Sequence, residues 1–422
     1  MIGLITGCIL ILRAEGWLEK TELWLYDYYI SLRPALKIER QIVILEQSTA
    51  DINYLGHQIS DHDLAELLQK VLAQDPQVIG LDLRYQDATL NDAAILSPQV
   101  FKVIETAPNM VINPQCTSLN TAHQNPLTDL NSKFVDTTNH VILDGDGRLR
   151  RVKLFPTNDR GEYLCNLGLV AAIASLEQQG IYPKCTKQGF LQLQDVVIPS
   201  LDQSYGSYTH LDVSDYQIML DYQEKVADFR QLQQISFEDV LTNRVATNFF
   251  RDKIVLVSNR SRRNRRYFRT PYSYNSQLDK ASISELSMYG IVTNQILNLV
   301  LHHDQPLQVL SDVGENLWIS AWAGLGIVIV WWSSKGLKLS HVILILILST
   351  ISMVMLLSMT HHLFISGWWL PVFPCGISFL AAVLITLAWV YLREMRYLNH
   401  RLSVSLNHLS KLNQELALYS TS

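Results

Sequence analysis

Between Asn316 and Leu392 the chain carries only two charged side chains, Lys335 and Lys338, and breaks into three apolar runs at 316–332, 342–360 and 375–392. Each run is close to the ~20 residues that span bilayer hydrocarbon as a helix. A backbone in lipid must satisfy its own hydrogen bonds, so the runs read as transmembrane helices. The alternative is a set of buried helices in a soluble core, which three successive runs with short connections disfavour.

Orientation follows from the basic residues. Lys335 and Lys338 occupy the first connection, and Arg393, Arg396 and Arg401 follow the last run. The connection between them has no Lys or Arg and holds Trp368 and Trp369, a residue type that collects at membrane interfaces. Basic flanks stay in the cytoplasm. The sequence therefore predicts a multi-pass protein of the plasma (inner) membrane, with a cytoplasmic C-terminus and everything upstream of Asn316 extracytoplasmic or periplasmic.

That arrangement asks for an N-terminal span. Residues 1–12 are apolar, but twelve helical residues cover about 18 Å against a core of about 30 Å. Arg13 and Glu15 block a simple extension. The expectation is a truncated or misassigned N-terminal transmembrane segment over 1–15, followed by an amphipathic stretch at the outer surface. The predicted domains are then 1–15, an outer domain over 16–312, three spans over 316–392 and a cytoplasmic helix over 393–422.

The outer domain alternates strands and helices. An apolar strand at 41–47 is followed by a turn at Tyr54-Leu55-Gly56, a helix capped by Ser60 or Asp61, and a second apolar strand at 76–83. This order reads as a βαβ unit with a buried parallel pair. A hairpin turning at Asp144-Gly145-Asp146-Gly147, a helix over 164–180, strands at 216–222 and 252–258, and a helix over 283–303 complete an α/β domain with a mixed, largely parallel sheet.

A net charge of -5 gives no reason to expect nucleic-acid binding. Of five cysteines, Cys8 and Cys375 lie in membrane segments, leaving Cys116, Cys165 and Cys185 outside. That set is no disulfide framework, although an oxidising compartment leaves a Cys165–Cys185 bridge open. Phosphate-loop, nucleophile-elbow and His-Glu-x-x-His patterns are all missing. The Asp144 turn fails as a calcium loop, because Arg148 and Phe155 stand at the fifth and twelfth positions, where oxygen ligands belong. His57, His62 and the pairs His302-His303 and His361-His362 read as surface residues. The expectation is no enzyme, no catalytic residue, no metal and no cofactor.

The order of segments resembles the type-2 CHASE (CHASE2) domain, a sensory module of bacterial membrane receptors, especially cyanobacterial ones. The resemblance begins at YDYYISLRP (26–34) and VIGLDLRYQD (78–87). It resumes at DGDGRLRRVKLF (144–155), ISFEDVL (235–241), the KIVLV strand before Thr270-Pro271, and MYGIVTNQIL (288–297). Here Glu46 stands where an Asp is common, Ser258-Asn259 replace a Gly, and Thr293-Asn294 replace a His-Ala pair. The resemblance implies an extracytoplasmic sensor followed by three spans, in receptors that usually end in a cyclase or kinase. In this chain only 393–422 follows the last span.

In that tail Met395, Leu402, Leu409 and Leu416 fall seven apart, with Leu398, Ser405, Leu412 and Tyr419 at the paired positions. This is a heptad stripe for a homodimeric coiled coil. The alternative is an amphipathic helix on the membrane surface.

Glu46, Gln47, Asp82, Arg84, Asn259 and Arg260 sit at or just past the ends of three apolar strands, where open α/β sheets meet ligands. Arg262 and Arg263 follow in an arginine-rich segment over 259–269, and arginine grips carboxylates and phosphates with two parallel hydrogen bonds. Together these eight are the predicted rim for an unknown small ligand, anionic by this chemistry, and the segment also suits anionic lipid headgroups. Against that stand a merely solvated loop and a simple Asp82–Arg84 pair.

The favoured function is a receptor that detects a small ligand or envelope signal outside. It relays that signal through the bilayer to a cytoplasmic helix and a separate signalling partner, without an output domain. The alternatives are a membrane scaffold or transport-associated protein, or the remnant of a split receptor kinase or cyclase. Transport is disfavoured, since the three apolar runs hold no Asp, Glu, Lys or Arg to mark an ion path.

Overall fold

The structure, a computed structural model, describes residues 2–33, 42–57, 59–83, 97–112, 141–156, 164–222, 233–260, 265–274, 282–333 and 339–420. It divides into two compact units. The bundle unit comprises Met1–Trp24, Ser204–His210 and Gln308–Ser422, and the sheet unit comprises Leu25–Gln203 and Leu211–Leu307.

The chain opens with helices α1 (Ile2–Ala14) and α2 (Glu19–Leu32), then β1 (Ile42–Glu46), α3 (Thr49–Leu55), α4 (Asp61–Leu72), β2 (Val78–Asp82), α5 (Pro98–Thr106) and β3 (Met110–Ile112). Next come β4 (Val141–Leu143), β5 (Leu149–Phe155), α6 (Leu167–Glu177), β6 (Pro183–Cys185), β7 (Leu191–Leu193), β8 (Val196–Ile198) and β9 (Tyr216–Met219). The sheet unit ends with β10 (Gln233–Ile235), α7 (Phe237–Leu241), β11 (Ile254–Ser258), β12 (Tyr267–Arg269), β13 (Ser282–Ser284) and α8 (Glu285–Leu301).

Local chemistry sets these boundaries. Ser60 caps α4, its hydroxyl and the Asp63 carboxylate closing a reciprocal box, and Leu64, Leu67, Leu68 and Val71 form the buried stripe that follows. The stretch read as a turn at 54–56 is instead the end of α3, which Ser48 and Asp51 cap in the same way and Gly56 closes at φ +72°. Seven residues held by caps leave no apolar period to read.

The central sheet runs β10-β1-β11-β2-β3, and all its pairings are parallel. This corrects the expected pairing of β1 with β2: the two are parallel, but β11 lies between them, bonded to both. All five residues of β11 are buried. The most apolar late strand takes the centre, and a partner so distant in sequence is invisible to local pattern. Antiparallel pairing is confined to separate small sheets, β4-β5-β9, β6-β7-β8 and β12-β13. One face of the central sheet packs Val43, Leu45, Ile79, Leu81, Val255 and Val257 under α4, α5 and α7. The other carries α6 and α8. There Gly80 leaves room for Leu256, since a Cβ would lie 2.6 Å from its Cδ2.

The Asp-Gly-Asp-Gly hairpin is built around an internal cation. The Arg150 guanidinium is fully buried and donates to Asp27 (2.8 Å), Asp144 (2.6 Å) and Asp146 (2.6 Å), while Arg151 donates to the other Asp144 oxygen at 2.7 Å. Burial pushes the Asp146 carboxyl up, but hydrogen bonding and charge from Arg150 prevail and hold it below its ordinary value. Carboxylates that resembled a calcium loop are thus engaged by arginine. Cys165 is in a disulfide and Cys185 is free, so the bridge between these two is not formed. Cys116 lies outside the described residues.

In the bundle unit, β14 (Gln308–Val309) pairs in parallel with β15 (Trp368–Trp369), and α9 (Asp312–Ser333), α10 (Leu339–Ile365) and α11 (Phe373–Ser420) are long and apolar enough to cross a membrane. At 1.5 Å per residue, 22-residue α9 and 27-residue α10 reach about 33 and 40 Å. Thirteen-residue α1 reaches about 20 Å, short of the hydrocarbon core. It packs on α9 and α11 through Ile5, Ala323 and Ala382. Small residues bring the helices close: a Cβ on Gly326 of α9 would lie 2.7 Å from the Phe379 carbonyl of α11. Helix α11 has 48 residues, about 72 Å, and its side chains from Arg396 to Lys411 are mostly exposed.

Candidate functional site

Register places Glu46, Ser258 and Asp82 side by side at the C-terminal ends of β1, β11 and β2. Asp82 is two residues beyond Gly80 and so faces α6 and α8. Ser258 donates its hydroxyl to Asp82 at 3.2 Å.

Helix α8 begins beside this row. Its cap Ser284 donates its hydroxyl to Glu46 Oε1 at 2.7 Å. Glu285, in the first turn, accepts from Arg260 Nη1 at 2.6 Å and from the Tyr289 hydroxyl at 3.1 Å. The Arg260 Nε lies 3.5 Å from Asp82 Oδ2. Arg265 places Nη1 3.2 Å from Glu46 Oε2 and donates from Nη2 to the Gln47 carbonyl.

These charges are internal: the side chains of Glu46, Asp82, Arg260, Arg265 and Glu285 are each 10 % exposed or less. Three carboxyls face two guanidiniums in so dry a setting that full ionisation is costly. Burial pushes the Glu46 carboxyl up, reinforced by Asp82 and opposed by Arg265 and Ser284. Gln47 is fully buried, and neither its amide nitrogen nor its amide oxygen has a hydrogen-bond partner among the described residues. The nitrogens Arg260 Nε and Arg265 Nε are likewise buried without a hydrogen-bond partner there.

Of the predicted rim, Glu46, Asp82 and Arg260 converge in this network, with Gln47 and Asn259 beside them in the chain. Asn259 reaches it through its backbone, whose N–H lies 3.4 Å from the Asp82 carbonyl. Arg84, Arg262 and Arg263 lie outside the described residues. Arg260 and Arg265 are buried ion-pair partners, which corrects the solvated-loop alternative for these two. Sequence reading placed Arg265 in the arginine-rich segment but not in the rim, and missed Ser258, Ser284 and Glu285 as site residues. A Ser-Glu step opening an apolar helix is a cap signal that marks where α8 starts, but nothing local marks which strand ends it meets. Among the described residues no group of His, Cys, Asp and Glu has metal-binding geometry.

The CHASE2 domain family profile matches residues 4–328. The chain belongs to the CHASE2 domain family. CHASE2 domains are extracytoplasmic sensory modules, which assigns this one a sensory role in a membrane setting. No curated protein and no solved structure matches the chain. The charged row thus lies at the C-terminal strand ends of a CHASE2 sheet.

Proposed function

We propose that this CHASE2 protein is a membrane receptor whose sheet unit lies outside the cytoplasm and takes a small charged ligand at the Glu46–Asp82–Arg260 rim. It relays the event through the bundle to the cytoplasmic end of α11 without catalysis of its own. The carrying observation is the family match joined, in one chain, to three helices able to span a bilayer. Placement outside is supported by the Cys165 disulfide, which suits an oxidising compartment, and by the basic flanks of the spans. Relay is supported by continuity: α2 begins in the bundle unit and ends in the sheet unit, as the chain also passes into the bundle unit at Ser204–His210.

An anionic ligand would exchange with Glu285 or Glu46 for the two buried guanidiniums. The test is a thermal-shift screen of the full chain in lipid nanodiscs against small anions, amino acids and metal ions. One ligand class should raise Tm by mass action, the folded state gaining about 2.7 kcal/mol at a hundredfold excess over Kd, and Arg260→Met should remove that response. No shift from any class, or an unchanged shift in Arg260→Met, contradicts the rim. Arg262→Ala/Arg263→Ala should weaken the same response if the adjoining arginines share the ligand, and unchanged affinity would exclude them.

The tail is read as one strand of a parallel homodimer meeting a separate cytoplasmic partner. Met395, Leu398, Leu402 and Leu409 are 40–63 % exposed and line one heptad stripe, an apolar edge without cover in a single chain. With Cys8, Cys185 and Cys375 replaced by serine, Leu402→Cys should cross-link into dimers in membranes. Val404→Cys, off the stripe, should not. Equal cross-linking at both positions, or none at either, argues against the coiled coil.

A further inference from the structure

One carboxyl outside the rim and the tail is held where several elements of the bundle unit meet. Glu22 of α2 is 2 % exposed and accepts the backbone N–H of Val372 at 2.9 Å and that of Phe373, the first residue of α11. The Ser207 hydroxyl reaches its other oxygen at 3.4 Å. Glu22 therefore serves as the cap of the longest helix in the chain, one carboxyl oxygen accepting N–H groups that have no partner within the helix.

Its charged surroundings are few. Arg13 of α1 pairs with Glu315 of α9 and donates to the Gly206 carbonyl at 2.6 Å. Asp312 lies in the first turn of α9, 3.5 Å from the Ser204 hydroxyl. From α11 the facing group is the Cys375 thiol, and from the Ser204–His210 segment it is the exposed His210 ring, 2.9 Å from the Ala14 carbonyl. Two buried carboxyls thus share one guanidinium, and a proton resolves the excess.

We propose that Glu22 is a proton-binding site that clasps the start of α11 while protonated and releases it on ionising to water. One proton is exchanged with solvent per chain. Burial raises the carboxyl to about 7 against an ordinary 4.5, over the opposing backbone hydrogen bonds, Arg13 and Ser207. A carboxyl that holds its proton more tightly when folded stabilises most below its ordinary value and loses that contribution as pH rises through about 7. The helix it caps runs on into the tail, so this response to external pH is independent of any ligand at the rim.

The test uses the full chain in nanodiscs. Infrared titration should show a protonated carboxyl band that disappears near pH 7 and is missing in Glu22→Gln. Amide protection at Val372 and Phe373, corrected for intrinsic exchange, should fall about tenfold per pH unit as pH rises from about 4.5 to about 7 in the wild type and level off above that midpoint. It should stay flat in Glu22→Gln, whose neutral amide holds the clasp at every pH. Should Glu22→Gln not assemble, the wild-type protection profile and the infrared band still decide. Protection that is flat in the wild type, or falls identically in Glu22→Gln, overturns the proposal, the second result moving the titration to another group.

Discussion

Arg150→Ala is expected to cost about 3–5 kcal/mol of stability, the range for removing one partner of a buried ion pair. The guanidinium is fully buried and is shared by Asp27, Asp144 and Asp146, so its loss leaves the buried Asp27 and Asp144 carboxylates to their pairs with Arg148 and Arg151. A loss that size consumes much of the 5–15 kcal/mol a typical domain possesses. Denaturant unfolding of the full chain followed at the sheet unit should show the shift. Arg150→Lys should recover part, since a point charge replaces the fork, and Asp27→Ala combined with Arg150→Ala should cost less than the sum of the two. A midpoint unchanged in Arg150→Ala would mean that the hairpin is not held by this network.

Gly168→Ala is the second large effect. In α6 an added Cβ would lie 2.3 Å from the Tyr289 carbonyl oxygen and 2.9 Å from Val292 Cβ of α8. The first obstacle is backbone, which cannot turn aside as a side chain can. Thr293 also donates its hydroxyl to the Gly168 carbonyl at 3.0 Å, fixing the crossing from the other helix. Overpacking of this kind costs about 1–3 kcal/mol, and here the upper part of that range is expected. Helices α6 and α8 cover the face on which Glu46 and Asp82 lie, so the ligand response should fall together with Tm. A variant with wild-type Tm would show that the two helices separate freely.

The three helices long and apolar enough to cross a membrane were legible because composition alone marks them, as runs of about twenty apolar residues. The first strands and α4 were legible for a related reason, since Ser60 caps a clean apolar stripe and Ile42–Leu45 is a continuous buried run. Adjacency in the sheet was not legible. The place of β11 between β1 and β2 is decided by burial competition among strands far apart in the chain, which leaves no local trace. The same holds for the rim. Strand ends pointed to Glu46, Asp82 and Arg260, whereas Glu285 and Arg265 enter through tertiary packing. Glu22 lay in a stretch read as surface amphipathic, and only the fold reveals that its carboxyl caps Phe373 some 350 residues later.

A receptor of this kind requires the sheet unit and the tail to occupy opposite sides of the membrane. In sealed right-side-out membranes from cells, with Cys8, Cys185 and Cys375 replaced by serine, Val213→Cys, 41 % exposed in the sheet unit, should react with an impermeant maleimide added outside. Ser403→Cys in the tail should react only after the membrane is opened. Labelling of Val213→Cys solely from the cytosolic side would contradict the receptor, because a sheet unit enclosed within the cell has no external signal to read.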